Sequence, residues 1–116
     1  MSATWTGLLD GITRVSGVRG ALVVSADDGL VVAESSMGDV EGGAVAALAA
    51  SLCLRLGRVS VALGSAAPRL VQLEAERGGL VAAPAGDGLL LVAVTDAAAN
   101  LGLLRLALRD AAERMA

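Results

Sequence analysis

The side chains able to do chemistry in this chain are few, and they do not gather. It has no histidine and no lysine, and all nine basic residues are arginine. A serine nucleophile needs a base beside it, and neither of the usual ones exists anywhere in the sequence. The same absences exclude a P-loop lysine, a Schiff-base lysine and a Ser–Lys dyad. Carboxylates could substitute, but Asp10, Glu34, Asp39, Glu41, Glu74, Glu76, Asp87 and Asp96 fall at turns, caps and one polar strand face. One cysteine without histidine cannot build a zinc site. Asp27 and Asp28 have no further acidic cluster at ligand spacing and read as a turn. Gly42-Gly43 opens a helix and could accept an anion, but no GxGxxG or GxxxxGK pattern follows a strand. Cys53 lies in an apolar stretch and reads as a small buried hydrophobe, with any redox role requiring a second chain. These residues predict no catalytic site, no cofactor and no metal.

The composition narrows the remaining classes. A net charge of −3 with no basic block argues against nucleic-acid binding. Hydrophobic residues reach 55% with one Trp, no Phe and no Tyr, so the core must be Leu, Val and Ala. A chain of 116 residues is expected to form one domain, residues 1–116. The N-terminus lacks a basic stretch and Asp10 interrupts its early apolar residues, which is not a secretory signal. The longest charge-free apolar run ends at Arg55, short of the about 18 residues of a membrane span. The expectation is a cytoplasmic protein without membrane insertion.

The elements that must position any functional residue follow from periodicity. Trp5, Leu8, Leu9 and Ile12 repeat at helical spacing, predicting a helix over 4–15 with Ser2 or Thr4 as its cap. Residues 21–25 and 30–35 are strand-like runs joined by Ala26-Asp27-Asp28-Gly29, a hairpin signal. A long helix over 39–58 follows, capped by Asp39, and Gly64–Pro68 breaks the chain. Residues 69–76 alternate, with Val71, Leu73 and Ala75 on one face and Gln72, Glu74 and Glu76 on the other. Strands at 80–83, limited by Pro84, and at 89–95 come next. A last helix runs from its Asp96 cap to about Arg114. The fold class is α+β: a five-stranded antiparallel sheet flanked by three helices in the order α-β-β-α-β-β-β-α.

The helix over 39–58 is too apolar for a lone surface helix. Val45, Leu48, Leu52 and Leu56 form a stripe of large residues, and Ala46, Ala50, Cys53 and Gly57 a stripe of small ones. A small domain has one core, so two stripes imply two burials. The large residues are expected against the domain's own sheet, the small ones against a partner. A bare stripe of about 400 Å² is at the limit for a soluble monomer, and covering it is worth about 10 kcal/mol before association costs.

Several segments together resemble a roadblock (dynein light chain) domain from end to end. They are Val18-Arg19-Gly20-Ala21-Leu22-Val23-Val24, Asp28-Gly29-Leu30-Val31-Val32-Ala33, the Ala-rich helix, Gly86-Asp87-Gly88-Leu89-Leu90-Leu91-Val92, and Ala99-Asn100-Leu101-Gly102-Leu103-Leu104-Arg105. The resemblance implies a roadblock/profilin-like sandwich. It also implies a dimer that joins two sheets through the third strand and pairs the middle helices. Members of that family bind or regulate Ras-like small GTPases, serve as dynein light chains or scaffold signalling complexes; bacterial relatives resemble a gliding-motility protein that activates a Ras-like GTPase. The expected reading is a homodimeric, non-enzymatic module that modulates a Ras-like small GTPase. Its dimer interface is expected at Ala46, Ala50, Cys53, Gly57, Val71, Gln72 and Leu73, and its partner contacts at Arg55 and Arg58. The rivals are a pure dimerisation scaffold and a profilin- or PAS-like small-molecule sensor, which a pocket of convergent polar or aromatic groups would favour.

Overall fold

The computed structural model describes residues 2–115, with side chains from residue 5 onward. The side-chain cap expected from Ser2 or Thr4 lies outside the described side chains. The elements are α1 (Ser2–Thr13), β1 (Val18–Ser25), β2 (Val31–Ser36), α2 (Gly42–Ala62), β3 (Val71–Ala75), β4 (Gly78–Ala85), β5 (Leu89–Asp96) and α3 (Leu101–Met115). They form one antiparallel sheet in the order β2-β1-β5-β4-β3, so β2 and β3 are its two edges. Fold class and element order are those expected from the sequence.

Strand alternation splits the apolar residues between two layers. Leu9 and Ile12 of α1 and Leu104, Leu108 and Ala111 of α3 pack on one face with Ala21, Val23, Val81, Leu91 and Ala93. On the other face Ala46, Ala49 and Ala50 of α2 meet Leu22, Val24, Ala82, Leu90 and Val92. β1 and β5 supply both layers because they are central and covered on both sides, which is why they read as continuous apolar runs.

Local signals misplaced several boundaries. β1 begins at Val18 rather than at residue 21, since Gly17, at φ 87°, makes the turn by itself. β4 extends through Pro84, which pairs with Leu90; β3 reaches only to the Val71–Ala82 pair, so the missing N–H costs that ladder nothing. Asp39 does not cap α2. Its carboxylate pairs with the Arg19 guanidinium, and α2 starts after Glu41, which makes no side-chain cap bond. Asp96 does not cap α3 either: it accepts the Ala98 N–H (2.8 Å), and the cap is Asn100, whose Oδ1 accepts the Leu103 N–H at 3.0 Å.

α2 also runs four residues past Arg58, because Arg is a good helix former and does not end an apolar run. At 21 residues, about 30 Å, it is long and apolar enough to cross a membrane, judged by length and composition alone. The sequence reading, which stopped at Arg55, missed this.

The edges differ. β2 carries a bulge: Val23 pairs with Ala33 and Val24 with Val31, leaving Val32 unpaired. β3 pairs regularly with β4 along its whole length. That regularity needs Gly79, where a Cβ would be driven into the carbonyl oxygen of Leu73. Gly79→Ala is expected to destabilise the fold by about 1–3 kcal/mol in a urea titration, whereas Gly43→Ala, with open space around it, is expected to be neutral or better.

Candidate interaction surface

α2 touches its own sheet through its smallest residues. Ala46 is 0% exposed and Ala49 and Ala50 are buried, while Leu48 is 71% exposed. This departs from the stripe assignment made from sequence: Ala46 and Ala50 seal the core, Leu48 turns outward, Leu52 and Leu56 are half-buried, and only Val45 of the large stripe packs on the core. The reason is distance. Gly29, at φ +70° in the β1–β2 turn, would place a Cβ 3.0 Å from the Ala47 Cα, so helix and turn lie backbone to backbone. Leucines at the inner positions would lift the helix off the sheet. Ala46 therefore has no exposed surface to offer a partner, while Ala50, 6% exposed, keeps an edge at the side of the helix.

The apolar surface left over is large. Leu54, Val59, Val61 and Leu63 are exposed along the outward side and C-terminal half of α2. Arg55 and Arg58 are exposed among them, and neither forms an ion pair among the described residues. The structure thus brings the two expected arginines onto the same outward side as Leu48, the one member of the large stripe that is exposed.

α2 leaves part of the sheet uncovered. It lies over β1, β2 and β5. On that same face β3 presents Val71 and Leu73, the latter 49% exposed. Between α2 and this bare strip runs an apolar groove of about 260 Å³, bounded by Ala50, Cys53 and Leu54 on the helix and by Pro68, Val71, Pro84 and Leu90 opposite. Cys53 and Gly57, both half-buried, border this side of α2 together with Leu54 and Val61. So Cys53, Gly57 and Val71 share one neighbourhood, and Leu73 follows Val71 on the same strand face. Gln72 points to the opposite face, where it accepts a hydrogen bond from Arg105 at 3.1 Å.

Several of the groups considered for chemistry have structural partners. Asp28 accepts the Leu30 N–H at 3.2 Å within the hairpin turn, and Asp10 lies 3.4 Å from the Ser35 hydroxyl, which donates to it. No group of three or more acidic, cysteine or histidine residues among the described residues could hold a metal. Burial pushes the Cys53 thiol above its ordinary pKa, which keeps it protonated and weakly nucleophilic.

Comparison with known proteins sets this surface in context. A family model, the Roadblock/LC7 domain, matches residues 6–95. An uncharacterized protein of Methanocaldococcus jannaschii is 36% identical over 104 residues, covering 90% of this chain and 86% of the relative. A solved structure described as MglB with tetrameric arrangement superposes with TM-score 0.90 at 29% identity, covering 98% of this chain and 86% of the other. The gliding protein MglB of Thermus thermophilus gives TM-score 0.88 at 27% identity, over 98% and 87% of the two chains.

Two measurements check this geometry. Ala46→Leu is expected to cost about 1–3 kcal/mol of stability by overpacking, while Leu48→Ser changes it by less than about 0.5 kcal/mol in chemical denaturation. Iodoacetamide is expected to modify Cys53 more slowly in the native chain than in urea at any pH near about 8. Because the folded thiol has the raised pKa, its contribution to stability is complete below the unfolded value and is lost as pH rises through the folded one.

Proposed function

The chain belongs to the Roadblock/LC7 domain family, and from that premise we propose that it is a non-enzymatic, homodimeric module that binds and modulates a Ras-like small GTPase. The observation that carries the reading is the outward apolar side of α2 beside a bare, regular β3 edge. A helix already seated on its own sheet has no further intrachain use for Leu54, Val59, Val61 and Leu63. A second copy docking along β3 supplies one: its α2 closes the apolar groove, and its β3 satisfies the unpaired backbone groups of the edge. The likeness to MglB structures across nearly the whole chain supports the same arrangement.

In this reading the seam uses Cys53, Leu54, Gly57 and Val61 of α2 with Val71 and Leu73 of β3. Arg55 and Arg58, on the outer side of the paired helices, meet the GTPase. Two cations flanked by leucines suit a surface with an acidic spot in an apolar setting. No arginine finger is assigned to it; a module of this kind can act by repositioning the GTPase's own residues. The same helix is read as a protein-facing rather than lipid-facing element, because Ser51, Arg55 and Arg58 interrupt its outer side and its inner side is seated on the sheet. Residues 1–116 act as one domain, in the cytoplasm.

A scaffold without effect on hydrolysis differs only in outcome, so the assay separates the two. GTP hydrolysis by a Ras-like GTPase encoded beside this chain is expected to change when the module is added. The Arg55→Glu/Arg58→Glu variant is expected to lose that change and the binding while keeping its mass in sedimentation. Binding without any change in hydrolysis would reduce the function to scaffolding, and an unaffected double variant would remove both arginines from the contact.

A further inference from the structure

We propose that charge fixes the register of the seam between two copies: Arg105 and Arg109 of one copy pair with Glu74 and Glu76 on β3 of the other. The inference rests on the dimer reading above and adds to it which residues make the pairing specific for a second copy of this chain.

Strand register assigns the faces. Val71 pairs with Ala82 and Leu73 with Leu80, and both partners belong to the layer beneath α2. Gln72 and Glu74 therefore point to the α3 face, and Leu70, two residues before Gln72, packs into the core on that side. Arg105 donates to Gln72 Oε1 at 3.1 Å, and Gln72 Nε2 donates to Glu74 Oε1 at 2.9 Å. Arg109, one helical turn further, stands with Arg69 and Leu70 around an open groove whose walls carry three arginines and no carboxylate. Along this edge, then, basic groups gather at the start of β3 and acidic ones at its end. Glu76, Arg69 and Arg109 have no ion-pair partner among the described residues.

A two-fold edge pairing reverses one strand against the other and so brings opposite ends together. Keeping both α2 helices on one face requires odd positions to meet odd positions. If the axis passes Leu73, Gln72 faces Glu74 of the second copy, and Leu70 faces its Glu76. Arg105, already held on Gln72, then stands against the second copy's Glu74, and Arg109, beside Leu70, against its Glu76. Both pairs occur twice. Moving the axis to Glu74 sets two like carboxylates opposite one another. Moving it to Gln72 keeps Arg109, beside Leu70, against Glu74, but sets Arg105 and its Gln72 opposite a second Gln72 and carries Glu76 past the strand to Pro68, so Arg105 loses its carboxylate within the paired strands. The one like-charged pair of the favoured register, Arg69 with Arg77 of the second copy, falls beyond Val71–Ala75 at both ends.

The test uses two charge-reversed chains, E74R/E76R and R105E/R109E, measured by equilibrium sedimentation alone and mixed. Each alone is expected to self-associate about tenfold or more weakly than the parent, while the mixture restores a heterodimer of parental strength. A milder pair, E74Q/E76Q, keeps shape and is expected to flatten the salt dependence that the parent dimer shows between about 0.05 and 0.5 M NaCl. A parent chain that stays monomeric at about 100 µM defeats the dimer itself. A stable parent dimer indifferent to salt and to every one of these substitutions leaves the dimer standing and overturns the ion pairs.

Discussion

The contact on which the rest of this molecule depends is the close approach of α2 to the sheet through alanine. With Ala46, Ala49 and Ala50 on the inner side and Gly29 meeting the helix backbone, α2 lies against the strands with little side-chain thickness between them. Such a contact buries less apolar area per residue than leucine would, and the helix side of this layer is alanine where α1 and α3 bring Leu9, Ile12, Leu104 and Leu108 to theirs. The larger residues of α2 have then only the outward side and the flanks to occupy. The exposed apolar surface is a consequence of how the core is packed, and a function built on that surface needs no added element.

Electrostatics follows the same economy. With twelve acidic and nine basic residues, the described ion pairs are two: Arg19 with Asp39, which ties the entrance of β1 to the loop before α2, and Arg114 with Asp110 along α3. Both are exposed and stabilise little. Arginine rather than lysine at every basic position gives each cation a planar fork suited to carboxylates and to amide oxygens, as the Arg105–Gln72 bond illustrates.

Sequence was a good guide where one signal dominated. Alternation over 69–76 and the Asp-Gly hairpin gave strands with the right faces, and the ordered segments of the roadblock resemblance gave the family. It failed where two residues competed for one role. Asp39 and Asp96 are good caps in isolation, but Arg19 draws the first away and Asn100 lies nearer α3 than the second. The stripes of α2 were legible as stripes and not as directions. Periodicity says which residues share a side, while the side that faces the sheet is decided by the space available, which only the position of Gly29 beneath the helix reveals. Of the seven residues expected at the interface, Ala50, Cys53, Gly57 and Val71 line the grooves beside α2, Leu73 follows Val71 on the same strand face, Gln72 sits on the opposite face, and Ala46 is core.

The bulge at Val32 matters for a different quantity, the size any assembly can reach. A sheet with two regular edges is a monomer for a polymer: each addition exposes a fresh edge identical to the one consumed. Here the unpaired residue twists β2 and spoils its hydrogen-bond spacing, so the molecule offers one templating edge instead of two. Any addition along the sheet direction is thereby confined to the β3 edge, where a two-fold pair would leave no propagating end. Any larger oligomer has to be built across the helical faces, which makes the number of copies in it a matter of helix packing and not of strand growth.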